Sequence, residues 1–237
     1  MPRYDYVLFD ADNTLFDFDR AEENALHVTL AQFGLPVTEE AKGAYLSVNR
    51  ALWARFDRGE VTREWLVVER FAQLLRALGR PGDPAAMNHA YLTHLGEGAF
   101  LLPGAEALCR ALASRCTLAI VTNGVAMAQR ARFARSPLRD VVPWIFISEE
   151  VGASKPSPDF FAPVLRALGE PDRSRVLMVG DNLLTDIQGG ILAGLDTAWF
   201  NPKHLPGDPA ISPTWEADNF PALQDLILGD APRANAT

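Results

Sequence analysis

The sequence predicts an α/β fold in which a doubly wound parallel sheet carries an inserted all-helical domain. Five short apolar runs alternate with helical patterns along most of the chain, which is typical of a parallel sheet with helices on both faces. One long stretch, residues 18–98, has helical patterns but no convincing strand. These two observations predict a Rossmann-like core with a helical cap.

Each of the five apolar runs predicts one strand. They cover residues 6–9, 118–121, 144–147, 176–179 and 197–200. None of them alternates polar with apolar residues, and continuous apolar runs of this length are typical of strands buried on both faces. Strands joined by helices predict the right-handed crossovers of a doubly wound sheet.

Four helical patterns accompany the later strands. They cover residues 104–113, 125–135, 158–168 and 184–193. Gly169 and Gly194 directly follow the last two patterns, as glycine commonly does at a helix end. Pro163 lies inside the third pattern, where proline removes a backbone hydrogen bond, so a kink is expected there.

The stretch between the first two strands predicts a separate unit of four helices. Thr62 is placed to cap the third of them. The expected apolar face of that helix comprises Trp65, Val68, Phe71, Leu75 and Leu78. We therefore expect a core of residues 1–17 and 99–237 and a cap of residues 18–98.

The composition narrows the function classes. The chain has 237 residues, 48% hydrophobic and 22% charged, as in an ordinary globular protein. A formal net charge of −8 argues against a nucleic acid polymer as partner, because binding a phosphate backbone needs clustered lysine and arginine. Two cysteines cannot make a disulfide scaffold, and neither a signal peptide pattern nor a membrane-spanning apolar run occurs. We expect a cytoplasmic enzyme without a membrane partner, either a monomer or a homodimer.

Polar side chains with catalytic chemistry follow four of the predicted strands. They are Asp10 and Asp12 after the first, Thr122 and Asn123 after the second, Lys155 after the third, and Asp181 and Asp186 after the fourth. Because ligands of open parallel sheets bind beyond the carboxyl ends of the strands, these segments are expected to meet in one crevice. For any one residue alone, a helix cap, a turn or a solvated surface position is an alternative.

The expected crevice concentrates negative charge. Carboxylates at short range repel one another unless a cation neutralises them or they bind protons. Mg²⁺ prefers oxygen ligands, and Lys155, one of three lysines in the chain, adds a compact positive charge. Such a site binds phosphate. A carboxylate beside the phosphate can attack it, and a second one two residues on, as Asp12 is from Asp10, can protonate the leaving oxygen.

Four motifs resemble those of the haloacid dehalogenase-like hydrolases, in the same order and after the same strands. They are D-A-D-N-T at 10–14, V-T-N at 121–123, S-K-P at 154–156 and G-D-N-L-L-T-D at 180–186. The resemblance covers essentially the whole chain, including a helical cap after the first motif. Dehalogenases of this fold lack the second aspartate, so the presence of Asp12 implies phosphoryl transfer.

The resemblance implies a role for each aspartate of the site. Asp10 would be the nucleophile and Asp12 the general acid/base. Mg²⁺ would be bound by the Asp10 carboxylate, the Asp12 backbone carbonyl and the Asp181 carboxylate. Asp186 would lie behind these ligands, holding a water or orienting Lys155.

The same resemblance assigns the phosphate contacts. Thr122 and the backbone of Asn123 would bind phosphate oxygens. Lys155 would bind the phosphate too and stabilise the charge of the nucleophile and the phosphoryl group. From the residues alone, capping the helix that follows is the more common role for Thr122 and Asn123.

Longer segments resemble the bacterial noncanonical pyrimidine 5′-nucleotidases. They cover residues 9–18, 147–156, 175–181 and 212–215. This resemblance implies hydrolysis of nucleoside monophosphates such as dUMP, UMP, dTMP or modified pyrimidine relatives. The alternatives are another small substrate (phosphoglycolate, a sugar phosphate or a sialic-acid phosphate), a mutase, and a non-catalytic phospho-switch. Asp12 argues against the switch, because an acid/base beside the nucleophile speeds hydrolysis.

Overall fold

The structure of the chain is a computed structural model that describes residues 2–229. Two units make up the chain. The larger holds residues 2–17, 100–126 and 133–229, and the smaller holds Phe18–Ala99 together with Met127–Arg132. The end of the expected core, residues 230–237, lies outside the described residues.

A six-stranded parallel sheet forms the centre of the larger unit and confirms the predicted fold class. Its strands are β1 (Tyr6–Phe9), β2 (Thr117–Thr122), β3 (Trp144–Ile147), β4 (Val176–Gly180), β5 (Asp196–Phe200) and β6 (Trp215–Ala217). Their order across the sheet is β3-β2-β1-β4-β5-β6. The chain therefore builds outward from β1 in both directions, and open sheets of this kind bind ligands where the direction reverses.

The sixth strand is an addition that the sequence does not predict. The first five match the predicted apolar runs to within one residue at either end. β6 has three residues, W-E-A, and is too short and mixed to form an apolar run. It becomes a strand because its backbone pairs with β5, so that Phe200 faces Ala217 in register.

The described residues contain ten helices. They are α1 (Phe18–Gln32), α2 (Glu39–Asp57), α3 (Arg63–Leu78), α4 (Pro84–Glu97), α5 (Ala105–Ala113), α6 (Ala126–Arg135), α7 (Ser148–Val151), α8 (Pro158–Ala167), α9 (Gln188–Leu192) and α10 (Phe220–Leu228). Helix α8 runs through Pro163, as predicted. No helix in the described part of the chain is both long and apolar enough to cross a membrane.

Both faces of the sheet are buried, as the continuous apolar runs predict. Val7 and Phe9 of β1 belong to a cluster with residues of α5 and α10. Leu8 points to the other face and belongs to a cluster with residues of α8. Burying a side chain of this size contributes about 1.5–3 kcal/mol, so the sheet is stabilised from two sides and holds its strand ends in place.

The predicted helix over 184–193 is wrong in its first half. Leu183–Ile187 form a wider, π-helical turn before α9 begins. Asn182 starts this turn, because its Oδ1 accepts the backbone N–H groups of Leu184 at 2.9 Å and Thr185 at 3.1 Å. Such turns widen a helix locally and are frequent at functional sites.

The smaller unit consists of α1–α4 and a short segment of α6 that the sequence does not predict to belong to it. Gly96 of α4 explains the association. A Cβ atom at Gly96 would lie 2.8 Å from the Cβ of Ala131, closer than real Cβ atoms approach. A glycine there lets the two helices come together at backbone distance.

The apolar face expected for α3 is rotated in the structure. Thr62 caps the helix as predicted, accepting the N–H of Trp65. Trp65, which was expected on the buried face, is 44% exposed. The residues of α3 that are buried include Arg70. A periodicity argument assumes that an arginine faces solvent. Here hydrogen bonds to Asn49 and Asn88 on other helices stabilise the buried Arg70 and so set the orientation of the helix.

Arg70 is the centre of a buried polar network that joins all four cap helices. Its guanidinium donates to Asn49 Oδ1 at 3.1 Å and to Asn88 Oδ1 at 2.9 Å, and it lies 4.6 Å from the ring centroid of Tyr91. Asn49 in turn donates to Glu22 Oε1 at 2.7 Å. Tyr45, Phe71 and Tyr91 are fully buried here and are packed core residues, as aromatic residues at helical spacing commonly are.

This network predicts a pH dependence of stability. Burial raises the pKa of Glu22 to about 7, with Arg70 opposing the rise. The folded chain binds this proton more tightly than the unfolded chain does. The stability that the protonated Glu22 contributes to the fold is therefore fully present below about pH 4.5 and is lost as the pH rises through about 7. Glu22→Gln should therefore stabilise the protein at pH 8, by up to roughly 3 kcal/mol, and have little effect at pH 5.

Thermal unfolding at the two pH values measures this difference. Glu23→Gln is the matched control, because the neighbouring carboxylate is exposed and pairs with Lys42 on the surface. Equal effects of Glu22→Gln at both pH values would contradict the assignment.

Candidate active site

The candidate site is built on the carboxyl end of β1. Asp10 directly follows this strand, and its N–H donates to the carbonyl of Val179 at 2.8 Å. This bond continues the pairing of β1 with β4 by one residue. The sheet therefore holds the backbone of Asp10 in place and directs its side chain at the edge where open sheets bind ligands.

Lys155 connects the segments that the sequence predicts to converge. Its Nζ donates to Asp10 Oδ1 at 2.7 Å, to Asp186 Oδ1 at 2.7 Å and to the carbonyl of Val121 at 2.8 Å. Its side chain is 1% exposed. Burial lowers the pKa of Lys155, but the two carboxylates outweigh that effect and raise it above its ordinary value, so the ammonium group stays charged.

Asp186 reaches the site because Gly180 leaves space for it. A Cβ at Gly180 would lie 2.2 Å from Asp186 Oδ2, so a glycine is required at the end of β4. Asp186 Oδ2 accepts the N–H of Asn182 at 3.1 Å, while Oδ1 accepts Lys155. Both oxygens are thus engaged by the protein, and Asp186 holds the lysine from behind.

Asp181 completes a cluster of three carboxylates with Asp10 and Asp186. Carboxylate oxygens of Asp10, Asp181 and Asp186 lie within 4.8 Å of one another. Burial, with the neighbouring carboxylates adding to it and Lys155 opposing it, raises the pKa of Asp10 to about 7 and that of Asp181 to about 8. Groups this close and this buried resist carrying their charges together without a cation.

The donor set fits a divalent, oxygen-preferring cation. When ionised, the three carboxylates and the ammonium group of Lys155 leave two negative charges. The groups facing one another are carboxylate oxygens, which are the ligands of Mg²⁺ and Ca²⁺ and not the nitrogen and sulfur atoms that zinc selects. The residues present therefore fit Mg²⁺.

Asp12 and Asn13 form the turn after Asp10. Asn13 adopts a positive φ of 61°, as expected for an asparagine at this position, and its N–H donates to the carbonyl of Phe16 at 2.8 Å. The charge of Asp12 raises the pKa of both Asp10 and Asp181, so Asp12 lies within electrostatic reach of the site. It is not one of the three carboxylates grouped at 4.8 Å.

Comparison with known proteins agrees with this geometry. A family model of haloacid dehalogenase-like hydrolases matches residues 4–194. The chain belongs to this family. It is 38% identical to the HAD-hydrolase YfnB of Bacillus subtilis, over 96% of this chain and 97% of that one. The solved structure of YfnB, bound to magnesium, has a TM-score of 0.91 and covers 95% of this chain and 99% of that one.

Two further relatives carry a named activity. The pyrimidine 5′-nucleotidase YjjG of Escherichia coli is 37% identical over 95% of this chain and 98% of its own. The pyrimidine 5′-nucleotidase PynA of Streptococcus pneumoniae is 34% identical over 94% of this chain and 95% of its own. The predicted resemblance to these nucleotidases is therefore confirmed.

In this haloacid dehalogenase-like hydrolase, the side chain of Asn123 acts on Lys155. Its Nδ2 donates to the Lys155 carbonyl at 2.9 Å and its Oδ1 accepts the Lys155 N–H at 3.0 Å. Thr122 is buried, and its Oγ1 accepts the N–H of Gly124 at 3.0 Å. The alternative that Thr122 or Asn123 caps the next helix is wrong, because α6 has Val125 at its N-cap position and its Ala126 N–H donates to Glu149.

Two residues that hold the site are absent from the predicted set. Thr14 Oγ1 accepts the N–H of Asp181 at 3.1 Å, and Trp199 Nε1 donates to the carbonyl of Asp181 at 2.9 Å. Thr14 lies within the first motif, so its position in that motif is a usable signal. Trp199 lies in an apolar run, and nothing in that run distinguishes it from its neighbours. Only the pairing of β4 with β5 places its indole N–H next to Asp181.

Proposed function

We propose that this protein is a Mg²⁺-dependent phosphomonoesterase that hydrolyses pyrimidine nucleoside 5′-monophosphates through a phosphoryl group carried on Asp10. The observation that carries the proposal is the pairing of Asp10 with the buried Lys155 at 2.7 Å, within an acidic group that fits a divalent cation. A carboxylate held in this way is oriented for attack, and the ammonium group opposes the negative charge of a transferring phosphoryl group.

The proposed reaction has two steps. In the first, an Asp10 carboxylate oxygen bonds to phosphorus while the ester bond to the leaving oxygen breaks, and Asp12 donates its proton to that oxygen. In the second, a water bonds to phosphorus and gives a proton to Asp12, while the bond from phosphorus to Asp10 breaks. Inorganic phosphate leaves and both carboxyl groups return to their initial states.

The remaining residues have supporting roles in the proposal. The Asp10 carboxylate, the Asp12 backbone carbonyl and the Asp181 carboxylate would hold Mg²⁺, which neutralises charge on the phosphate when bound. Thr122 and the Asn123 N–H would bind phosphate oxygens. Asp186 orients Lys155.

The substrate class rests on the relatives. YjjG and PynA are pyrimidine 5′-nucleotidases and align with this chain nearly from end to end. The smaller unit is helical, as the resemblance to this family implies for the cap.

A phosphate-release screen tests the function. The panel contains dUMP, UMP, dTMP and purine monophosphates, together with phosphoglycolate, a sugar phosphate and a sialic-acid phosphate, each with Mg²⁺ and with a chelator. We expect the pyrimidine nucleotides to have the highest kcat/KM and the chelator to abolish turnover reversibly. Preference for another ester would overturn only the proposed substrate class. Full activity in the presence of chelator would overturn the proposed dependence on Mg²⁺.

Asp12→Asn should lower kcat for nucleotides by about 10²–10⁴-fold, because the leaving oxygen loses its proton donor and water its base. The loss in the first step should be much smaller for p-nitrophenyl phosphate, whose leaving group departs without a proton. Rapid-quench measurement of phosphoenzyme with both substrates separates the steps. Equal losses in phosphoenzyme formation for the two substrates would remove Asp12 from the role of acid.

A further inference from the structure

The backbone on both sides of the Asp181 Cα is held by side chains from other strands and loops. Its N–H donates to Thr14 Oγ1 at 3.1 Å, and its carbonyl accepts Trp199 Nε1 at 2.9 Å. Trp199 is 4% exposed and faces Gly180 in the register of β4 with β5. The indole thus reaches across from the neighbouring strand to the residue that directly follows β4.

The loop that follows β5 runs past the indole ring. The loop passes near the ring, since a Cβ at Gly207 would be at ordinary van der Waals distance, 3.8 Å, from Trp199 Cζ3. Asn201 keeps this loop closed: its side chain accepts the Leu205 N–H at 2.8 Å, donates to the Leu205 carbonyl at 3.0 Å and donates to Glu216 at 2.7 Å. Trp199 is therefore a buried donor beside a hydrogen-bonded loop, and its partner is the Asp181 carbonyl.

We infer that Trp199 is a positioning residue that sets the magnesium affinity of the site through the backbone of Asp181. The inference rests on the proposed function, in which the Asp181 carboxylate is a metal ligand. Mg²⁺ demands near-ideal octahedral geometry, so a ligand whose backbone can shift binds it less tightly. Partners that orient a ligand without touching the metal commonly change metal affinity by about 10–100-fold.

Trp199→Phe separates this role from simple packing. Phenylalanine keeps an aromatic ring at this buried position and removes the N–H that the Asp181 carbonyl accepts. A residue that only fills space would tolerate this change at the metal site, whereas a positioning residue would not.

The test is a magnesium titration of the metal-free protein. Binding is measured by the rise in melting temperature that it produces. We expect the magnesium Kd of Trp199→Phe to rise by about tenfold. The magnesium concentration that half-saturates phosphate release should rise by the same factor, while kcat at saturating magnesium stays within about twofold of wild type.

Trp215→Phe is the matched control. Its indole N–H donates to Tyr4 Oη at 2.8 Å, on the segment before β1, so the same chemical change is made away from Asp181. We expect its magnesium Kd to equal that of wild type. If Trp199→Phe does not fold, Thr14→Val tests the same backbone from its other side, since valine has the shape of threonine without the acceptor.

The outcomes distinguish the inference from the function. Wild-type protein that binds no magnesium would overturn the proposed function. Magnesium binding by wild type with an unchanged Kd in Trp199→Phe, or in Thr14→Val where that variant replaces it, would overturn the inference alone. An equal loss in Trp215→Phe would also overturn it, because the effect would then be one of general stability.

Discussion

Asp10→Asn is expected to reduce phosphate release by on the order of 10³-fold or more, because the amide has no anionic oxygen to attack phosphorus. The fold should persist, since asparagine has nearly the same shape and its Oδ1 can still accept the Lys155 ammonium group. Steady-state kinetics measure the loss. Acid-quenched wild type should carry a phosphoryl group on the peptide containing Asp10, and the variant should not.

Asp5→Asn is the matched control for this experiment. Asp5 lies just before β1, as Asp10 lies just after it, and it pairs with Arg175 at 2.6 Å. The same substitution at the other end of the strand should leave turnover near that of wild type. Activity of Asp10→Asn close to wild type, or a phosphoryl adduct on the variant peptide, would show that another group is the nucleophile.

Lys155→Met should have the largest effect on stability. The substitution leaves Asp10 and Asp186 buried without their cation, and breaking a buried pair in this way costs about 3–5 kcal/mol. The deficit should be greater at pH 8 than at pH 5, because loss of Lys155 raises the pKa of Asp10 further above its present value of about 7, and protonation at low pH relieves the unpaired charge. Turnover should fall by at least about 10²-fold, since the phosphoryl group loses its fixed positive charge.

Chemical denaturation of metal-free protein at the two pH values measures this effect. Lys42→Met is the matched control, because Lys42 pairs with Glu23 on the surface and exposed pairs contribute little. Removal of Asp186 as well, in the double variant Lys155→Met with Asp186→Asn, should recover part of the lost stability. A stability change in Lys155→Met no larger than in Lys42→Met would contradict the role given to the buried pair.

The strands and the positions of the site residues could be read from the amino-acid sequence because they depend on local chemistry. A continuous apolar run such as 176–179 has few stable environments other than a strand covered on both faces. Once the sheet is parallel, the polar residues after each strand must gather at one edge, and Asp10, Lys155 and Asp181 do so. The residues of the candidate site can therefore be identified from the sequence alone.

Other features were decided only when distant segments packed together. The inward rotation of α3 depends on partners for Arg70 that lie on two other helices, Asn49 and Asn88. β6 exists because β5 offers it an unpaired edge. Neither property is encoded in the residues of the element itself, so periodicity cannot reveal it.

The same division applies at the candidate site. The identity of the acidic residues follows from the chain, whereas their electrostatics follow from burial and from the 2.7 Å contacts of Lys155, which no spacing rule supplies. Trp199 is the clearest case, since in the sequence it is one apolar residue among several and in the fold its N–H is bound to the backbone of Asp181. A hydrogen bond between residues 18 positions apart arises from strand order, and strand order is a property of the assembled sheet.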